Sequence, residues 1–211
     1  MSSANPMVEE LVQGKPRIVI LNKADLADPK ATDRWISYYQ KKNIPVVPMS
    51  VGNSKNKKKL LALIRETAEP MLAKWRKRGI KSRSVRLMIL GIPNVGKSTL
   101  INFLAGTAAT RTANTPGHTR GKQWVRLSEG LDLLDTPGVL WPKFDDQIAA
   151  LRLAATGAIA GDVFNADEVV PELLASLAET APWVLQEKYD IEDVHQDPQL
   201  LLEAAGRRRG C

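Results

Sequence analysis

VRLMILGIPNVGKSTLINFL, residues 85–104, passes from a strand-like apolar run through a loop bounded by glycines into a stretch with helical spacing. Val85 to Leu90 reads as a strand and Ser98 to Leu104 as a helix. The loop GIPNVGKS, 91–98, fits G-x-x-x-x-G-K-[ST] between those two elements, the context in which the pattern holds phosphates. Its glycines let backbone N–H groups converge on phosphate oxygens. Lys97 can bridge the β- and γ-phosphates, and the Ser98 hydroxyl can ligate Mg²⁺. Gly91, Asn94, Val95, Gly96 and Thr99 complete the candidate phosphate-holding set. A strand–loop–helix unit of this kind predicts an α/β fold.

Downstream, Gln123–Leu127 and Leu131–Leu134 read as strands joined by the turn Ser128-Glu129-Gly130. Asp135-Thr136-Pro137-Gly138 follows directly. A carboxylate there can reach Mg²⁺, directly or through water, and the Gly138 N–H can sense a γ-phosphate. Between Ser98 and Asp135 lies TANTPGHTRGKQW, rich in Thr, Pro and Gly and without apolar period, as expected of a loop that orders around metal and γ-phosphate. Thr119 is the first choice for a hydroxyl completing the Mg²⁺ shell, with Thr115 as competitor.

Upstream, ILNKADLAD, 20–28, contains the tetrapeptide Asn22-Lys23-Ala24-Asp25 at the end of the predicted strand 17–21, where open α/β sheets bind ligands. Asp25 can accept two hydrogen bonds, from N1–H and the exocyclic amine of guanine. Adenine supplies neither, so ATP would leave a carboxylate unpaired. Asn22 would support the loop and Lys23 would lie over the base plane. Ser50 and Val51 end the next predicted strand, 44–49, from which a backbone N–H could reach guanine O6. A helix opens the chain from Asn5-Pro6 to Gly14, a second starts at Asp28-Pro29 and runs to about Lys42, and a third is marked by Leu60, Leu61, Leu63 and Ile64. Pro70 should kink or restart this third helix, ahead of a connector at 76–84. Five strands result, and past Pro142 only helices are expected, at 145–160, 167–180 and 198–205.

The net charge of +7 is unevenly spread. Residues 55–86 hold twelve Lys or Arg against Glu66 and Glu69, a net of +10, whereas residues 142–206 hold thirteen acidic against three basic residues. The basic band suits nucleic-acid phosphates, and the acidic tail suits protein contacts. One cysteine, Cys211, and two histidines, His118 and His195, argue against a disulfide framework or a zinc module. With no membrane-length apolar run and no leader pattern, these features point to the cytoplasm.

The order, base reader first and phosphate loop second, resembles the circularly permuted GTPases, and the details resemble the YlqF/RbgA family of ribosome-assembly GTPases. The shared stretches are SSANP at 2–6, NKADL at 22–26, GIPNVGKSTLIN at 91–102, TPGHTRGKQW at 115–124 and LLDTPGVLWPK at 133–143. Permutation is physically permitted because strand-end loops, rather than chain order, assemble the site. The resemblance implies a permuted P-loop GTPase domain over 1–142, with a mostly parallel sheet and helices on both faces, and a small helical domain over 143–211. Its base-reading half would be 1–75, its basic connector 76–84 and its phosphate-loop half 85–142. It also implies binding and hydrolysis of GTP, with Mg²⁺, in assembly of the large ribosomal subunit, whose rRNA and proteins would be the partners, without membrane or DNA. Potassium stimulation would act at Asn94. Lys97, Thr119, Gly138 and Asn94 are the candidate catalytic set. Val139 stands where Ras-like proteins place a water-orienting glutamine, so slow intrinsic turnover is expected; His118 is a secondary candidate for acting on water.

By the same resemblance, relatives carry a strand ahead of SSANP and continue past RRRGC. Five strands in place of six would leave an apolar gap between the strand before the phosphate loop and the strand before Asn22, and with it marginal stability or self-association. Two other readings are a guanine-nucleotide module that controls a partner with little turnover, and an ATP-using P-loop protein in which Asn22–Asp25 is coincidental.

Overall fold

The computed structural model describes residues 12, 14–80, 83–106, 123–128, 130–136, 146–159 and 165–210. These fall into two compact units, one up to residue 136 and one from residue 146.

In the first unit β1 (Val19–Asn22) leads to α1 (Pro29–Lys41), β2 (Val46–Met49) and α2 (Ser54–Lys77), then to β3 (Val85–Met88), α3 (Lys97–Ala105), β4 (Gln123–Ser128) and β5 (Leu131–Asp135). Asp28 caps α1 by accepting the Ala31 N–H at 2.6 Å, and Pro29 sits in the first turn, where its missing N–H costs nothing. Strand β1 pairs in parallel with β2, placing Asn22 opposite Met49. Strand β3 pairs in parallel with β5, which pairs antiparallel with β4 through an irregular step between Arg126 and Ser128.

The sheet order is β1-β2 and, separately, β3-β5-β4. Among the described residues no strand pairing joins the two sheets. Alternation along β3, β4 and β5 turns Val85, Val125, Leu127, Leu131 and Leu133 into a core shared with Leu100, Ile101 and Leu104 of α3. Val47 and Met49 of β2 join it.

Helix α2 corrects one expectation. It runs unbroken for 24 residues with Pro70 inside it, so the connector begins only after Lys77. Leu60, Ile64 and Ala68 are buried at fourfold spacing, and Met71, Leu72 and Trp75 continue the stripe past the proline. Pro70 and Glu66 are both exposed. The Glu66 carbonyl that loses its N–H partner can thus turn to water, and packing on both sides holds the helix together.

The second unit is helical: α4 (Gln147–Ala155), α5 (Ala166–Thr180), α6 (Pro182–Tyr189) and α7 (Pro198–Arg209). Leu174, Ala178, Leu185, Leu201 and Ala205 form its core with Ile191 and Val194. Helix α6 was not expected. Pro182 occupies its first turn, where the missing N–H costs nothing. The opening helix at 5–14 lies almost wholly outside the described residues.

Candidate functional site

Four strand ends, those of β1, β2, β3 and β5, supply the site. Residues Gly91 to Gly96 leave β3 and deliver the chain into α3, whose first turn carries Lys97 and Ser98. Gly96 has φ +91°, and a Cβ there would stand 2.5 Å from the Asn22 side-chain nitrogen. Only glycine permits both the turn and that approach. Asn94 also takes a left-handed conformation, with φ 55°, as does Lys23 in the base-reading loop, with φ 57°.

The two loops are tied directly. Asn22 Nδ2 donates to the Val95 carbonyl at 2.8 Å, and Lys23 Nζ donates to the Asn94 carbonyl at 3.3 Å. Residues more than 70 positions apart in the chain thereby meet. Asn22 Oδ1 is buried without a partner, the state of an acceptor awaiting a donor. Asp25 follows on an exposed turn. Register places Ser50 and Val51 just past Met49, level with Lys23, and the Ala24 N–H donates to the Met49 carbonyl at 3.0 Å.

Lys97 is folded into the loop, donating to the carbonyls of Ile92 at 2.7 Å and Gly91 at 3.0 Å. Burial lowers its pKa, against the opposing pull of Asp135. Asp135, 1% exposed, ends β5; its Oδ2 accepts the Ser98 hydroxyl at 3.3 Å and its Oδ1 is buried without a partner. Burial raises the Asp135 pKa, while Ser98, Lys97 and the Thr136 N–H pull it down. A buried carboxylate oxygen without a donor, beside a hydroxyl, is a hard-oxygen set that fits Mg²⁺. When bound, that ion would supply charge to phosphate oxygens. The chain's own part is to hold Ser98 and Asp135 together and to present Lys97 and the first-turn N–H groups of α3 to an anion.

Thr99 is exposed on α3. Thr119 and Gly138, with Thr115, His118 and Val139, lie outside the described residues. Two contributors were not singled out beforehand. Ile92, 1% exposed, supplies the carbonyl that holds Lys97, and Thr136 donates its hydroxyl to the Ile89 carbonyl at 2.6 Å, pinning the end of β5 to the end of β3. Apolar Ile92 gave no chemical signal; Thr136 had one, its place within Asp-Thr-Pro-Gly.

Residues 86–196 match the family model described as 50S ribosome-binding GTPase. Ribosome biogenesis GTPase A of Bacillus licheniformis is 43% identical over 211 residues, which cover 100% of this chain and 75% of that protein. The protein of the same name from Bacillus pumilus is 41% identical with the same coverage. Among solved structures, the GDP-bound structure of TM YlqF aligns with TM-score 0.60 at 21% identity, over 100% of this chain and 86% of that one.

Proposed function

The chain belongs to the ribosome biogenesis GTPase A (YlqF/RbgA) family, and from that premise we propose that the loops after β1, β2, β3 and β5 form one guanine-nucleotide site. The protein is a GTP hydrolase and a GTP-binding switch in ribosome assembly. Asp25 reads the base, Asn22 and Lys23 fix the base reader to the phosphate loop, and Lys97 and the N–H groups around Gly96 hold the phosphates. Ser98 and Asp135 hold Mg²⁺, and Asn94 is the candidate potassium contact. Thr119 and Gly138 complete the γ-phosphate response. The observation that carries this reading is the pair of hydrogen bonds from Asn22 and Lys23 to the carbonyls of Val95 and Asn94. Such ties make a permuted chain order irrelevant to the assembled site.

The permuted G domain spans 1–142 and the helical domain 143–211 in this proposal. The partner is the maturing large ribosomal subunit in the cytoplasm. Lys55, Lys58, Lys59, Arg65, Lys74 and Lys77 line exposed positions of α2 and suit rRNA phosphates. Among the described residues no helix is long and apolar enough to cross a membrane.

A titration with fluorescent GDP in magnesium and potassium, competed by GTP and then by ATP, tests the site. GTP should displace the probe and ATP should not; equal competition would remove Asp25 from the site. Turnover measured with and without ribosomal particles tests the switch, and particles should accelerate it.

A further inference from the structure

Helix α1 carries chemistry that the nucleotide site does not use. Residues 29–42 hold Lys30, Arg34, Lys41 and Lys42 against the single carboxylate of Asp33. The helix has no fully buried side chain, although it contains Trp35, Tyr38 and Tyr39. The three rings brace one another: Tyr38 meets Trp35 edge-to-face at 5.3 Å and Tyr39 edge-to-face at 5.2 Å. Tyr38 remains 43% exposed. Lys42 Nζ lies 4.4 Å from its ring centroid and donates to its hydroxyl at 2.6 Å. A depression of about 370 Å³ is lined by Tyr38, with Asp33, Arg34, Ser37 and Lys41, but not by Lys42. Tyr38 thus lines this depression together with the cations Arg34 and Lys41.

We propose that this face of α1 binds single-stranded RNA, one base stacking on Tyr38 while Arg34 and Lys41 meet the adjoining phosphates. A fixed, half-exposed ring amid cations is the arrangement that accepts an unpaired base of any identity. Helix α2 lacks that arrangement. Its aromatic residue near the basic end, Trp75, is partly buried against the core of the first unit, whereas Tyr38 is exposed. Phosphate contact alone belongs to α2, and base contact to α1. The proposal uses no residue of the nucleotide site, so it stands or falls separately from the GTPase reading.

The test is binding of the full chain to fluorescently labelled oligoadenylate and oligouridylate of about ten nucleotides, followed by anisotropy across salt concentrations. Tyr38→Ala should weaken binding about 5- to 100-fold, Tyr38→Phe should restore it, and GDP binding should be unchanged in both. Arg34→Glu with Lys41→Glu should flatten the salt dependence, and it serves as the readout if Tyr38→Ala fails to fold. Ultraviolet cross-linking should place the adduct on α1. Oligonucleotide binding unaffected by Tyr38→Ala overturns the proposal, as does a duplex that binds as tightly as the single strand. Variants that lose ribosomal particles but keep oligonucleotide binding would assign the face to a protein and also overturn it.

Discussion

Lys23 and Asp25, in the loop after β1, carry their charges in solvent, whereas Lys97, opening α3, and Asp135, ending β5, carry theirs buried. The first pair costs little to fold because water solvates it until a base arrives. The second pair is desolvated in advance, and its mutual attraction offsets that cost only in part, as the lowered pKa of Lys97 and the raised pKa of Asp135 record. Recognition is thus kept cheap on one side of the site. On the other, where the proposed site would take phosphate and metal, buried charge and an unpaired oxygen are held at the expense of stability.

Two substitutions should separate these roles, the larger effect first. If Asp25 reads guanine as proposed, Asp25→Asn replaces one carboxylate acceptor with an N–H donor that opposes a guanine N–H, worth about 3 kcal/mol and a loss of GTP affinity on the order of 100-fold. It should leave the melting temperature unchanged, and xanthosine nucleotides, which present a carbonyl where guanine presents an amine, should bind better than to the parent. Calorimetry with both nucleotides checks this; a fall in melting temperature would place Asp25 in the folded framework. Lys97→Met should act in the opposite pattern. Affinity should fall by about 2 kcal/mol, roughly 30-fold, while urea unfolding of the nucleotide-free protein shows equal or greater stability, because a buried charge is replaced by an apolar chain of similar length.

Much of this contrast could be read from residue order. Strand ends, the glycine-bounded loop and the acid Asp135 are local signals, and each fell within a few residues of its observed place. Strands β1 and β2 each begin two residues later than expected and β1 runs one residue further, because pairing, not composition, sets a strand's limits: Asn22 is drawn into β1 by its register with Met49. Pro70 misled because a proline's local cost says nothing about the packed stripe running past it. The Asn22–Val95 tie was illegible, since no pattern in the sequence states which carbonyl a side chain will find 73 residues away. The division of the described strands into two sheets was illegible, since every one of those strands has an ordinary sequence.

Gly96→Ala tests whether the two sides are mechanically joined. The new methyl group would fall 2.5 Å from Asn22 Nδ2 and force a side-chain-bearing residue to φ +91°. A stability loss of order 1–2 kcal/mol is expected, with weaker GDP binding. Adding Asn22→Gly removes the clash but not the φ strain. The double variant should therefore recover part of the stability and none of the base selectivity. Strict additivity in a double-mutant cycle would mean that the loops are not coupled through this contact.

The smallest effect is on the pH dependence of the nucleotide-free protein. Asp135 has a folded pKa above its ordinary 3.8, so the folded state binds more protons there, and its contribution to stability falls as pH rises from 3.8 through the folded value. Lys97 has a folded pKa below its ordinary 10.5, so the unfolded state binds more protons, and stability rises as pH climbs from the folded value towards 10.5. Both penalties are present together near neutrality, where the site works. Unfolding followed against pH in Asp135→Asn should lose the acid-side slope; it should also alter the alkaline one, because removing the carboxylate deprives Lys97 of the charge that raises its pKa. An unchanged acid-side slope would mean that Asp135 does not carry the charge penalty, and the contrast between an exposed reader and a buried phosphate site would then rest on Lys97 alone.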